Sequence, residues 1–149
     1  MRLEEEIKQS RFRNEFHKLI LNLTYTGSWL NIQEIQFFRQ YDLSPQQYNI
    51  LRILRGQYPK PASINLLIER MMDKMSNASR LVDKLEAKEL VVRKTCQADR
   101  RQVDVMISEK GLKLLEQLDR EVEGLEEKFI RLSEQEARQI NDLLDKMRG

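Results

Sequence analysis

At 149 residues the chain is long enough for one domain with a real core and short for two independent ones. Hydrophobic residues make up 40% and charged residues 34%, with five glycines and three prolines, a balance that excludes a disordered chain and points to a mostly helical one. One cysteine and one histidine exclude a disulfide framework and supply too few soft ligands for a zinc site, so no cofactor or metal is expected; the net charge of +2 conceals an uneven distribution. Residues 52–113 hold 14 Lys/Arg against 8 Asp/Glu, whereas residues 114–149 hold 6 against 10. The positive charge therefore lies where attraction to phosphates would be useful, and the end of the chain would repel them.

No apolar run approaches the roughly 20 residues that span a bilayer, and the opening stretch MRLEEEIKQ lacks the apolar centre of a secretory signal. The expected location is the cytoplasm, without membrane contact. Phe12, Phe16, Leu19 and Leu23 recur at steps of four, three and four, the stripe of an amphipathic helix. Gly27-Ser28 is expected to interrupt that helix, with Trp29 to Tyr41 resuming it through Ile32, Ile35 and Phe38.

Ser44-Pro45-Gln46-Gln47 combines an N-cap hydroxyl, a proline at the first helical position and a glutamine that completes a capping box, so a helix starts at Pro45. Tyr48, Leu51 and Leu54 point inward from it. It stops near Gly56, ahead of an extended connection enforced by Pro59 and Pro61.

Ser63 caps a short helix to about Met71, and Asp73 is expected to cap the next, Lys74 to Lys88. Helices joined so tightly form a helix-turn-helix. Ala78, Leu81, Val82 and Leu85 face the core, leaving Lys74, Ser76, Asn77, Ser79, Arg80 and Lys84 for solvent or DNA. Leu90 to Gly111, LVVRKTCQADRRQVDVMISEKG, holds two short β-type runs, Val91 to Thr95 and Val103 to Ile107, around a polar tip with Asp99-Arg100-Arg101. That is the profile of a basic hairpin wing.

From Lys110 the chain is helical again, with Leu115, Leu118, Val122, Leu125, Phe129 and Leu132 on a heptad seam too short for a free coiled coil. Ser133 with Glu136 forms a second capping box, opening a last helix striped by Ala137, Ile140, Leu144 and Met147. The fold class is mainly α with a small β-hairpin wing. A winged helix-turn-helix at 42–110 is flanked by helices at 1–41 and 111–149, all in a single domain, 1–149.

Element order and three local motifs resemble the multiple-antibiotic-resistance regulator (MarR) family of transcription factors. Leu43-Ser44-Pro45-Gln46-Gln47-Tyr48 is similar to the opening of its third helix. Ser79 to Lys88, SRLVDKLEAK, is similar to its recognition helix. Asp99-Arg100-Arg101, followed by Ile107-Ser108-Glu109-Lys110-Gly111, is similar to its wing signature. Glu89 departs from the pattern, which commonly has a glycine ending the recognition helix. The resemblance implies a homodimer interlocked through its terminal helices, two recognition helices in successive major grooves, and a pseudo-palindromic operator on double-stranded DNA. It also implies a regulator, most simply a repressor, released by a small-molecule or redox signal, and no enzyme.

Within that frame Ser76, Asn77, Ser79 and Arg80 are candidates for base contact, since Asn suits adenine and Arg suits guanine. Arg101, or in its place Arg100, is the residue for the minor groove, with Asp99 holding an arginine. Lys74, Lys84, Arg93 and Lys94 suit phosphates or plain solvation. Cys96 at the wing base reads as an inert thiol, with an oxidation switch as the alternative. His17 reads as an ordinary polar or interface residue. Trp29, Phe37, Phe38 and Tyr41 suit either core packing or a pocket for an aromatic effector. The competing class is a helical dimeric adaptor without DNA binding; the absence of a phosphate-binding glycine loop and of a nucleophile pair argues against an enzyme.

Overall fold

A computed structural model of the chain describes residues 1–95, 103–129 and 131–149. Among the described residues seven helices and three short strands follow in the order α1 (Leu3–Glu6), α2 (Glu15–Arg39), α3 (Pro45–Gln57), β1 (Ala62–Ser63), α4 (Ile64–Arg70), α5 (Ala78–Ala87), β2 (Val91–Thr95), β3 (Val103–Ile107), α6 (Glu109–Phe129) and α7 (Glu134–Arg148). Local signals set most of these boundaries. Ser44 accepts from the Gln47 amide at the head of α3 while the Gln47 side chain accepts from the Ser44 amide, and Ser133 and Glu136 do the same for α7. Ser63 caps α4 through the Leu66 amide.

The expected break at Gly27-Ser28 does not occur: α2 runs through both residues for 25 residues. One glycine costs a helix about 1 kcal/mol relative to alanine, too little to break a helix of this length without a proline or a competing cap. The strands also exceed the expectation of a bare hairpin. β2 and β3 pair antiparallel, Val91 opposite Ile107 and Lys94 opposite Asp104, and β1 joins the far edge of β3, Ala62 opposite Val105, giving the order β1-β3-β2.

The core gathers around α3, whose Ile50, Leu51 and Leu54 are buried with Leu67 and Met71 near α4, Val82 and Leu85 of α5, Val91, Val105 and Ile107 of the sheet, and Leu115 and Leu118 of α6. Each such side chain contributes on the order of 1.5–3 kcal/mol over remaining exposed. The expected seam on α6 thus enters the core at Leu115 and Leu118, but Leu132 lies past the helix end and is exposed. Among the described residues no helix is long and apolar enough to cross a membrane.

Glu89, the departure from the family's glycine, occupies the backbone conformation that a glycine would supply. Its φ is 61°. The Leu90 amide donates to the Leu85 carbonyl at 3.0 Å and the Glu89 amide to that of Glu86 at 2.8 Å, the paired bonds of a Schellman cap, closed by buried Leu85 and Leu90. A left-handed conformation costs a non-glycine residue roughly 1 kcal/mol; a glycine would keep the cap bonds without that cost, and among the described residues the Glu89 side chain returns an exposed ion pair with Lys110 at 3.1 Å. Glu89→Gly is therefore expected to raise the unfolding free energy by about 0.5–1 kcal/mol, visible as a higher denaturant midpoint at unchanged slope.

Candidate nucleic-acid interface

α5 is the second helix of the helix-turn-helix and presents one face to solvent. Ala78, Val82 and Leu85 anchor one face in the core, and Ser79, Arg80, Asp83 and Lys84 stand exposed on the other. Its N-cap is Asn77, whose side-chain carbonyl accepts from the Arg80 amide at 3.0 Å, not Asp73 as expected. Asp73 instead builds the turn before the helix. Its carboxylate accepts from the Met75 amide at 3.0 Å and from the Ser76 hydroxyl at 2.7 Å, bonds that hold its pKa below the ordinary value, the Ser76 bond most of all. Two acceptors four residues apart competed for one helix start, and the turn took the first.

This geometry sorts the candidates on the helix-turn-helix. Lys74 turns back: its ammonium donates to the carbonyl of Ile68 at 3.4 Å and to that of Glu69, capping the end of α4 with a cation. Ser76 and Asn77 have one side-chain oxygen each committed to the turn and the cap. Ser79, Arg80 and Lys84 carry no side-chain hydrogen bond or ion pair among the described residues, so they are the groups free to meet a ligand on α5.

On the wing, Arg93 is tied to the helix. Its guanidinium sits 2.6 Å from Asp83, 3.7 Å from Glu86, and donates to the Ser79 carbonyl at 3.1 Å. The Glu86 contact is too long for a hydrogen bond, leaving the buried Nε without a partner among the described residues. Arg93 thus fixes strand β2 to the outer edge of α5 and is a positioning residue, whereas Lys94 is exposed on the same strand. Asp99, Arg100, Arg101 and Cys96 lie outside the described residues.

Behind the helix-turn-helix, a cleft of about 430 Å³ separates α2 from α3 and the turn, lined among others by Glu34, Phe38, Tyr48, Asn49, Arg52 and Met72. The Phe38 and Tyr48 rings stack at 4.4 Å, and Arg52 donates to the Tyr48 hydroxyl at 3.0 Å. Loss of solvent raises the Glu34 carboxyl above its ordinary value. Of the four aromatics considered for an effector pocket only Phe38 lines this cleft. Phe37 is buried in the core, Tyr41 packs on it at 5.5 Å, and Trp29 lies in a hollow beside Leu3 and Tyr25. His17 accepts from the Arg13 amide at 3.3 Å, an ordinary structural role. Among the described residues no group of three or more His, Cys, Asp or Glu could hold a metal.

Two contacts tie this assembly to α6. Arg55 makes a two-pronged bond to Asp119, at 2.6 and 3.0 Å, and the Tyr41 hydroxyl donates to Glu121, burial and that bond pushing the phenol up to about 12. The Arg55 bond holds the Asp119 carboxyl below its ordinary value. Around pH 4 the folded chain therefore binds fewer protons at this site than the unfolded one. The pair's contribution is full above the unfolded carboxylate pKa and is lost as pH falls through the folded value. With both side chains partly exposed, Asp119→Ala is expected to cost only about 0.5–1 kcal/mol at neutral pH and to make acid unfolding below about pH 4 less steep, as a urea series against pH would show.

The fold that carries this helix-turn-helix between long terminal helices is shared with solved proteins. A MarR-family model matches residues 43–103. The MarR transcription factor from Planctomyces limnophilus is 31% identical, its structure superposing with a TM-score of 0.70 over 93% of this chain and 98% of that one. The chain belongs to the MarR family. Similar too are the HTH-type transcriptional regulator MhqR of Bacillus subtilis, 27% identical over 87% of this chain and 89% of that protein, and MepR of S. aureus, solved as a DNA complex, at 22% identity, TM-score 0.73, and 92% and 97% coverage.

This MarR-family chain is accordingly a DNA-binding transcriptional regulator, and its winged helix-turn-helix with terminal helices is the family's fold. Reading the sequence missed Tyr48 and Arg52 as cleft residues, although they lie one helical turn apart on α3, because a tyrosine at a core-facing position does not reveal the opening beside it. Arg93 as a clamp was equally hidden, since its partners Asp83 and Glu86 sit on a different element.

Proposed function

We propose that the chain works as a homodimeric repressor on a pseudo-palindromic operator and is released by a small aromatic effector. The observation that carries the dimer is an amphipathic helix without a home: α7 buries none of its residues, and Ile140, Leu143 and Met147 are exposed. Phe16, Leu19, Ile20, Ile32 and Ile35 are exposed along α2 in the same way. Apolar surface repeated along helices at both ends of the chain is what a two-fold interface would cover. Twofold symmetry then sets two α5 helices side by side, and Ser79, Arg80 and Lys84 reach base edges and phosphates while Arg93 holds the wing in place.

The cleft supports control by a small molecule. It lies between α2, which would belong to the dimer region, and the turn preceding α5, so an occupant preferring one arrangement of the two would shift the spacing of the recognition helices. Stacked rings beside a guanidinium suit an aromatic compound with an anionic group.

Sedimentation with and without operator fragments recovered from the chain's own genome tests the reading. It requires a dimer at micromolar concentration, one dimer per operator, and affinity that falls steeply with salt. A monomer that ignores every such duplex would end it. For the effector, a panel of aromatic acids should weaken binding by the wild type and not by Arg52→Ala; no response to any member would leave the cleft without this role.

A further inference from the structure

The turn that leads into α5 ends in an apolar tip. Met75 is 94% exposed, the most exposed of the large hydrophobic side chains described, and it lies two residues before the N-cap of the helix that carries Ser79 and Arg80. The backbone of the tip is held by hydrogen bonds, and the Asp73 carboxylate is turned onto the Met75 amide and the Ser76 hydroxyl. The Met72 amide donates to the Asn49 side chain at 3.1 Å. Lys74, the one cation in the turn, is drawn back onto the carbonyls of α4. Met72, 86% exposed, borders the cleft on the side of α3, whereas Met75 is absent from that lining and lies nearer the start of α5.

A recognition helix meets the major groove with its N-terminal end first, and the apolar group displayed there by DNA is the 5-methyl of thymine. A phosphate contact would favour the opposite choice, a lysine extended into solvent. An unbranched, polarizable thioether side chain adapts its shape to such a methyl without demanding a hydrogen-bond partner. We infer that Met75 is a specificity residue that reads a thymine methyl at the base step next to the one met by Arg80. This rests on the regulator reading above.

The test replaces thymines of a recovered operator one at a time, symmetrically in both half-sites, by deoxyuridine, and measures affinity by fluorescence anisotropy at fixed salt for the wild type, Met75→Leu and Met75→Ala. One position should weaken wild-type binding about fourfold per half-site, the effect of leaving one methyl-sized group, about 0.8 kcal/mol, unburied. Met75→Ala should bind thymine operator with a similar loss and show no further loss with deoxyuridine at that position, while Met75→Leu keeps most of the sensitivity. A wild type indifferent to deoxyuridine at every position, or Met75→Ala as sensitive as the wild type, overturns the inference and leaves the regulator reading standing. Failure of the wild type to prefer any duplex removes both.

Discussion

Gly111→Ala is expected to lower the unfolding free energy by about 2–3 kcal/mol, although alanine is the better helix former. A Cβ at this position would lie 2.4 Å from the Leu90 carbonyl oxygen and 2.7 Å from Cγ1 of Ile107. Ile107 could rotate; the Leu90 carbonyl could not, because it accepts from the Ser108 amide at 3.0 Å. Ser108 in turn donates from its hydroxyl to the Glu89 carbonyl at 2.7 Å and accepts from the Gly111 amide at 3.0 Å. The end of the α5 cap, the end of β3 and the start of α6 therefore meet at one point, where space and not backbone conformation requires glycine. A methyl group there pries α6 away from the wing base, so DNA affinity should fall with stability. Equilibrium urea unfolding checks this: a midpoint equal to or above that of the wild type would show that the junction is looser than these distances say.

Arg80→Ala should weaken binding to a recovered operator by roughly ten- to a hundredfold, about 1–3 kcal/mol, and should erase preference at one base position. Arg80 is the exposed cation nearest the start of α5, its side chain carries no ion pair among the described residues, and its backbone amide alone serves the cap. The urea midpoint should stay within about 0.5 kcal/mol of the wild type, as for an exposed side chain that has no partner among the described residues. Arg93→Ala offers the contrast. It breaks a 2.6 Å ion pair to Asp83 and frees the wing strand, so it should weaken every duplex alike and spare base preference. Uniform loss from Arg80→Ala would assign it to phosphates instead.

What was legible in the sequence was what local chemistry decides. Ser44, Ser63 and Ser133 each accept the amide that a capping serine should, and Pro45 opens α3. Ala78, Val82 and Leu85 are buried at the spacing that assigns them to the core. Competition between equals was not legible. Asp73 and Asn77 are both good caps, and which one starts the helix depends on whether Ser76 and the Met75 amide can turn onto Asp73. Gly27 looked like a break because its cost is visible in the sequence while the support of the surrounding turns is not. Long-range pairs were invisible for a simpler reason: Arg55 and Asp119 are 64 residues apart, and the two-residue strand β1 acquires its identity only from pairing with Val105. For the candidate site, the free face of α5 could be named in advance, whereas the cleft at Tyr48 and Arg52 required the position of α2.

A spacer series on a recovered operator tests most directly whether two recognition helices related by a twofold axis occupy successive major grooves. Inserting 5 bp at the centre rotates one half-site by half a turn, and inserting 10 bp restores its face while lengthening the span by about 34 Å. A rigid dimer should lose its specific affinity in both cases, retaining only the weak, salt-sensitive binding shown by a single half-site. Full affinity for the 5-bp insertion would contradict the paired arrangement and leave each protomer reading DNA by itself.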